Sequence, residues 1–167
     1  MRVAVTGTPG TGKTTAVDAV ETDLDVVHLN EVIKSEGFDT GRDDQRGSRV
    51  ADMDALGEWL GDRDCLVESH LAHHFPADRV VVLRCHPDDL ETRLTERGES
   101  VEKARENAEA EALDVVLSEA VANHGRESVY EIDTTHRTPE EVAREIETVV
   151  ADEREPSAGT VDFIGWL

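Results

Sequence analysis

The sequence predicts an α/β fold, with a parallel sheet of five strands and helices on both faces. Three observations carry that prediction. Short apolar runs recur along the 167 residues and alternate with segments of helical periodicity. A glycine-rich loop, Gly7-Thr8-Pro9-Gly10-Thr11-Gly12-Lys13-Thr14, stands between the first such run and the first such helix. The last helix is marked by Thr138-Pro139-Glu140-Glu141, a capping box with proline at the first helical position.

The first strand, 2–6, contains Val3, Ala4 and Val5 and is apolar on both faces, as a buried parallel strand requires. The helix after the loop sets Ala16, Val17 and Val20 on one side. A second strand over 26–29 leads into a helix bearing Glu31 and Lys34. Helical spacing of Leu56, Trp59 and Leu60 follows, then a third strand at Cys65–Glu68 and a fourth at Arg79–Arg84. Leu90 and Leu94 mark a helix over 88–97. Leu113, Val116, Leu117, Ala120 and Val121 predict one long helical segment over 101–122. The fifth strand is 128–132, and the last helix packs Val142, Ile146, Val149 and Val150. Two segments break the alternation. Residues 37–48 are polar and glycine-rich, a long loop of the kind that carries function. Residues 155–167 form a polar link ending in Phe163-Ile164-Gly165-Trp166-Leu167, an apolar plug expected to dock on the protein's own surface, with a partner contact as the alternative. No internal repeat is present. The expected organisation is a single domain over 1–150 and a tail over 151–167.

The loop fits G-x-x-x-x-G-K-[ST], and its strand–loop–helix setting makes the chain a P-loop NTPase. Glycines let backbone N–H groups converge on phosphate oxygens without Cβ clashes. The helix start adds unpaired donors and partial positive charge. Lys13 supplies a mobile cation for the β- and γ-phosphates, and the Thr14 hydroxyl is a natural Mg²⁺ ligand. Thr11 counts with Gly10, Gly12, Lys13 and Thr14 as nucleotide-binding. The expected cofactors are ATP and Mg²⁺.

The third strand ends in Glu68, where such an enzyme needs an acid to hold the Mg²⁺ shell. His70 falls on the same side two residues later, a catalytic candidate. With His73 and His74 it makes a three-histidine loop; a metal site there is conceivable, but no thiolate or carboxylate is spaced to complete one. Lys34, Arg42, Arg46 and Arg49 place four cations in a very acidic chain. They either balance Asp43, Asp44 and Asp52 or clamp the phosphate of a second substrate. Arg93 and Arg97 share a helix face. They either ladder with Asp89, Glu96 and Glu106 or carry a lid that meets the transferring phosphoryl group. No Asn-Lys-x-Asp motif selects guanine, which argues against a GTPase switch. No evident base activates a hydroxyl acceptor, and none is needed if the acceptor is itself a phosphate.

Composition sets the setting. The net charge is −21, from 38 acidic against 17 basic residues, and only Lys13, Lys34 and Lys103 are lysines. Periodic apolar segments argue against disorder, so the charge reads as adaptation to molar salt, where the Debye length is about 3 Å. Cys65 and Cys85 read as small buried hydrophobes. Residue 7 already belongs to the nucleotide loop and no run approaches membrane-spanning length, so a cytoplasmic protein with no membrane partner is expected.

"GTPGTGKTT", "HLNE", "VESHLAHHFP", "VLRC" and "ETRLTERG" together resemble the adenylate kinase isoenzyme 6 family, also called Fap-seven or coilin-interacting nuclear ATPase protein. The resemblance covers about residues 1–150, and the acidic composition resembles a haloarchaeal member. It implies an adenylate-kinase-like fold with a short NMP segment, about 30–53, and a short lid, about 96–106. It implies ATP contacts at Gly10, Gly12, Lys13, Thr14, Thr15 and Arg97, and ties the acid-x-His pair, here Glu68 and His70, to ATP hydrolysis. Glu68 stands where Asp is more usual, and Lys34 where a relative can carry Arg. The family's second role is in late maturation of the small ribosomal subunit and 16S rRNA. There it transiently binds the platform ribosomal protein S-eleven on the pre-30S particle.

The resulting expectation is an ATP:AMP phosphotransferase with intrinsic ATPase activity. Its catalytic residues are Lys13, Glu68, His70 and Arg97, its nucleotide loop is joined by Thr15, Arg93 and Arg97, its NMP clamp is Lys34, Arg42, Arg46 and Arg49, and its metal ligands are Thr14 and Glu68. Two rivals stand beside it: an ATP-gated assembly factor with vestigial kinase activity, and a small-molecule kinase with a hydroxyl acceptor.

Overall fold

A computed structural model describes residues 1–43 and 48–167, with the backbone alone at 40–43 and 48–49. In chain order the first half contains β1 (Arg2–Gly7), α1 (Lys13–Asp18), β2 (Asp25–His28), α2 (Leu29–Glu36), β3 (Asp39–Asp43), β4 (Ser48–Ala51), α3 (Met53–Leu60) and β5 (Cys65–Glu68). The second half contains β6 (Arg79–Arg84), α4 (Pro87–Glu96), α5 (Val101–Ala112), α6 (Val115–His124), β7 (Val129–Asp133) and α7 (Pro139–Val150). Five strands pair in the order β2-β5-β1-β6-β7, and every pairing is parallel. These are the five strands expected from sequence, each within one residue at either end.

Alternation along the strands builds two apolar layers. Ala4, Val67, Val80 and Val82 face Leu29 of α2, Leu56 and Leu60 of α3, and Leu117 and Ala120 of α6. Val3, Val5, Leu66, Val81 and Leu83 face Ala16 and Val17 of α1 and Val142, Ile146 and Val149 of α7. Thr138 caps α7 as its sequence requires, accepting the Glu141 N–H at 3.2 Å. Cys65 and Cys85 are both buried free thiols.

Two elements differ from expectation. The stretch read as a long loop contains a hairpin: β3 and β4 pair antiparallel, with Arg42 opposite Arg49. Asp-Thr-Gly-Arg-Asp has no apolar alternation, so the period-2 signal is missing there. The helix expected over 101–122 divides at Leu113–Asp114. Asp114 adopts a left-handed backbone, φ 56°, which aspartate tolerates better than most residues. Its carboxylate accepts from Arg84 Nη2 at 2.6 Å. Leu113, counted on the apolar face, is 53 % exposed in consequence.

Arg84 is the hub of a buried network. Its Nη1 donates to Glu131 Oε1 at 2.6 Å and its Nη2 to the Glu111 carbonyl at 3.1 Å. Its Nε faces Glu111 Oε2 at 3.3 Å without hydrogen-bond alignment. The second Glu131 oxygen accepts from Thr160 N, Thr160 Oγ1 and Val161 N, and Ser157 N donates to the Val129 carbonyl. The tail is therefore docked on the protein's own surface. Trp166 Nε1 donates to Asp88 Oδ1 at 2.7 Å, and the Arg105 guanidinium lies 4.3 Å over the Trp166 ring.

Candidate active site

The sheet order brings the carboxyl ends of β1, β5 and β2 together, where ligands bind in open parallel sheets. Glu68 stands opposite Val5 on one side and His28 on the other. The phosphate loop leaves β1 at Gly7, where any Cβ would meet the Leu83 carbonyl oxygen at 2.7 Å and Thr11 Oγ1 at 2.8 Å. Gly12 starts α1 with φ 89°, a left-handed conformation natural to glycine.

Inside the loop, Thr11 N and Thr11 Oγ1 donate to the Thr8 carbonyl. Lys13 Nζ donates to the carbonyls of Gly7 and Thr8 at 3.0 and 3.2 Å. Burial lowers the Lys13 pKa to about 8; Glu68 and Glu111 pull it back up, and Arg97 pushes it down further. Thr14 Oγ1 donates to Glu68 Oε1 at 3.2 Å. The other Glu68 oxygen meets His28 Nδ1 at 2.7 Å, and His28 Nε2 meets Asp18 Oδ1 at 2.9 Å. Burial works against the His28 cation, but these two carboxylates outweigh it and raise its pKa. A hydroxyl and a carboxylate in contact are the hard oxygen donors that Mg²⁺ prefers, so Thr14 and Glu68 fit that ion.

These groups line a cleft of about 610 Å³. Gly10, Gly12, Lys13, Thr14 and Thr15 of the loop and helix start line it together with Glu68, His70, Arg97 and Lys103. His70 is half-buried, and its pKa is lowered to about 4, first by burial and then by Lys13 and the neighbouring histidines. It is a neutral imidazole at neutral pH.

Thr11, Arg93 and Lys34 are not among the residues that line this cleft. Thr11 is buried behind the loop, where its carbonyl accepts from Thr134 Oγ1. Arg93 reaches the loop from behind, Nη1 donating to the Gly10 carbonyl and Nη2 to the Thr134 carbonyl, both at 3.4 Å. Because α4 runs beside the loop, Arg93 meets loop backbone and is not among the residues that line the cleft. Lys34 is exposed on α2 and is not part of the cleft wall. Arg42 and Arg49 face each other as backbone positions in the hairpin, and Arg46 lies outside the described residues.

The histidine loop holds a surprise for sequence spacing. His73, His74 and Glu119 bring ligand atoms within 4.8 Å of one another, with the carboxylate supplied by α6 from 45 positions further along. His73 Nδ1 contacts Thr6 Oγ1 and its Nε2 contacts Glu119 Oε2, each at 2.7 Å. Burial lowers its pKa against the pull of Glu119. Both ring nitrogens are thereby satisfied, and the turn below His70 is fixed to β1 and α6.

Sequence reading missed His28 behind Glu68, Asn30 with its Oδ1 3.0 Å from Ser69 Oγ, Glu111 behind Thr8, and Asn107 in the cleft wall. The strand order alone could have placed His28, because β2 lies beside β5.

A glycine-rich phosphate loop at the carboxyl edge of a parallel sheet, with an acid on the next strand meeting the loop's terminal hydroxyl, defines a P-loop nucleotide-binding protein. Residues 3–114 match the AAA domain family (AAA_18), and the chain belongs to that family. A protein of Natronomonas pharaonis named "Putative adenylate kinase" is 70% identical over 164 residues, covering 98% of each chain. A protein of the same name from Halobacterium salinarum is 57% identical over the full length of both. Shikimate kinase from Bacteroides thetaiotaomicron superposes with a TM-score of 0.56 at 16% identity, over 90% of this chain and 98% of that one, a likeness of fold. Among the described residues no helix is long and apolar enough to cross a membrane.

Proposed function

We propose that this protein is a cytoplasmic nucleoside monophosphate kinase that converts ATP and AMP to two ADP and hydrolyses ATP slowly when AMP is absent. The observation that carries the reading is the convergence of Lys13, Thr14, Glu68, His70 and Arg97 on one cleft, in a chain whose haloarchaeal relatives bear the adenylate kinase name. The loop amides and Lys13 hold the ATP phosphates. An oxygen of the AMP phosphate attacks the γ-phosphorus in line. The bond from that phosphorus to the bridging β-oxygen breaks, and the ADP β-phosphate leaves with the electron pair. Mg²⁺, held by Thr14 with Glu68 behind it, would neutralise phosphate charge. Arg97 faces the same phosphates from the lid, where negative charge develops during transfer. Lys34, Arg42, Arg46 and Arg49 supply the cations that an AMP phosphate requires on the segment over 30–53.

Hydrolysis calls on different groups. Water must be oriented or relieved of a proton, and the neutral His70 ring beside the loop offers a hydrogen-bond acceptor that can orient it. This pair of activities matches the resemblance to the isoenzyme 6 family. It supports a further role in late small-subunit and 16S rRNA maturation, through transient contact with the S-eleven platform protein on the pre-30S particle. Ile164 and Leu167 remain 52 % and 60 % exposed on the docked tail and offer apolar area for such a contact.

The test is ADP and phosphate release from Mg²⁺·ATP in molar KCl, with and without AMP. AMP-dependent ADP formation well above the phosphate released without AMP is expected. Hydrolysis indifferent to AMP would favour the assembly factor with vestigial kinase activity, and transfer to a hydroxyl compound would replace both.

A further inference from the structure

Glu111 is 2 % exposed and lies one residue from the end of α5. Its Oε1 accepts the Thr8 hydroxyl at 3.0 Å, and its Oε2 accepts the Cys85 N–H at 2.8 Å and faces Arg84 Nε at 3.3 Å. The Cys85 N–H and the Arg84 Nε–H can only donate; Glu111 answers the Cys85 N–H with one oxygen and the Thr8 hydroxyl with the other, while Arg84 Nε is held by charge without hydrogen-bond alignment. Thr8 is itself 2 % exposed. Its hydroxyl is held by Glu111, while its carbonyl accepts from Thr11 N, Thr11 Oγ1 and Lys13 Nζ. One residue thus joins a buried carboxylate to the lysine and the turn of the phosphate loop.

The same helix reaches the cleft at its other end. Ser100 caps α5, accepting the Lys103 N–H, and Glu102, Lys103, Glu106 and Asn107 line the cleft wall. A 12-residue helix is about 18 Å long and has no internal hinge. Its amino end meets the nucleotide space, and its carboxyl end is anchored beneath the loop.

We propose that Glu111 is a positioning residue for the phosphate loop: through Thr8 it fixes the loop in its nucleotide-receiving shape and links that shape to the position of α5. It touches no substrate. The inference rests on the loop binding ATP and is independent of which acceptor takes the phosphoryl group.

Thr8→Val removes the hydroxyl and keeps the shape, Thr8→Ser keeps the hydroxyl, and Glu111→Gln removes the buried charge and replaces one of its two acceptor oxygens by an amide donor. The measurements are calorimetric binding of a non-hydrolysable ATP analogue in molar KCl, AMP-dependent kinetics, and melting temperature. Thr8→Val is expected to weaken the analogue and raise the KM for ATP about 5-fold, the value of one hydrogen bond, with the KM for AMP unchanged. Thr8→Ser restores binding to within about twofold. Glu111→Gln weakens binding as well, and Thr8→Val adds nothing further in its background, since the two side chains act as one unit. If Glu111→Gln does not fold, the Thr8→Val and Thr8→Ser pair decides. Wild-type affinity in Thr8→Val, or a loss that Thr8→Ser does not recover, overturns the proposal. ATP binding without AMP-dependent ADP formation would count against the acceptor alone and leave the Thr8 comparison standing.

Discussion

The Lys13 ammonium donates to the Gly7 carbonyl at 3.0 Å, so the loop's own backbone holds its cation where phosphate is expected to draw it. Burial weakens that cation, and its pKa falls to about 8 from the usual 10.5. In the folded protein Lys13 is charged below about pH 8 and increasingly neutral above it. The folded state thus disfavours the proton between about 8 and 10.5, and stability gains from that group as pH rises through this window. A bound polyphosphate restores the charge. ATP binding near pH 8 is therefore expected to take up a fraction of a proton, and the uptake fades by about pH 6.5, where Lys13 is already protonated. Calorimetry in buffers of different ionisation enthalpy measures this, and zero uptake at pH 8 would contradict it.

Lys13→Ala should abolish both AMP-dependent transfer and hydrolysis, because the buried cation is the loop's one positive side chain against the phosphates. Retention of even a tenth of the wild-type rate, a loss of only about 1.4 kcal/mol, would remove Lys13 from the chemistry.

His70 should matter more for hydrolysis than for transfer. With a pKa of about 4 it stays neutral from pH 5 to pH 8 and keeps a ring nitrogen free to accept a hydrogen bond from water and orient it across that range. An AMP phosphate is already anionic and needs no such help. His70→Ala is expected to depress ATP hydrolysis about 10-fold or more while sparing most AMP-dependent ADP formation. Equal loss of both rates would make His70 a structural or ATP-binding group. The same shift predicts that stability falls as pH drops from about 6.5 towards 4, because the unfolded chain binds this proton first.

Salt should stabilise the fold steeply. A net charge of −21 repels itself in dilute buffer and is screened to about 3 Å at 1 M. Melting temperature is expected to climb from low to molar KCl. A flat profile would sever the acidic composition from halophilic adaptation.

Local signals made much of this molecule legible. Val3 to Val5, Val80 to Val82 and the Thr138 cap each carry their structure within a few residues, and the phosphate loop carries its chemistry in eight. What stayed hidden is long-range. Glu119 reaches His73 across 46 positions and Glu111 reaches Thr8 across 103, pairings that only the strand order and the break at Asp114 create. The hairpin at Arg42 and Arg49 was hidden for another reason: Asp39–Asp43 is polar throughout and Ser48–Ala51 places its two apolar residues side by side, so neither strand shows an apolar period of two.

The tail should be a structural part of the domain, although it lies beyond the last helix. Glu131 is buried, and one of its oxygens is answered by Arg84. The other is answered by Thr160 N, Thr160 Oγ1 and Val161 N, all from the tail. Deleting residues 157–167 strips three donors from a buried carboxylate and uncovers the end of Arg84. Leaving such an acceptor unpaired costs about 1–3 kcal/mol, and each kcal/mol lowers the melting temperature of a chain of this size by about 2–4 °C. A loss of several degrees is therefore expected. Thr160→Ala in the full chain removes the Thr160 hydroxyl, keeps both N–H donors and should reproduce a smaller part of the loss, with Trp166 still on Asp88. An unchanged melting temperature in the deletion would mean that the tail merely lies on the surface, and the Glu131 contacts would then carry no net stability.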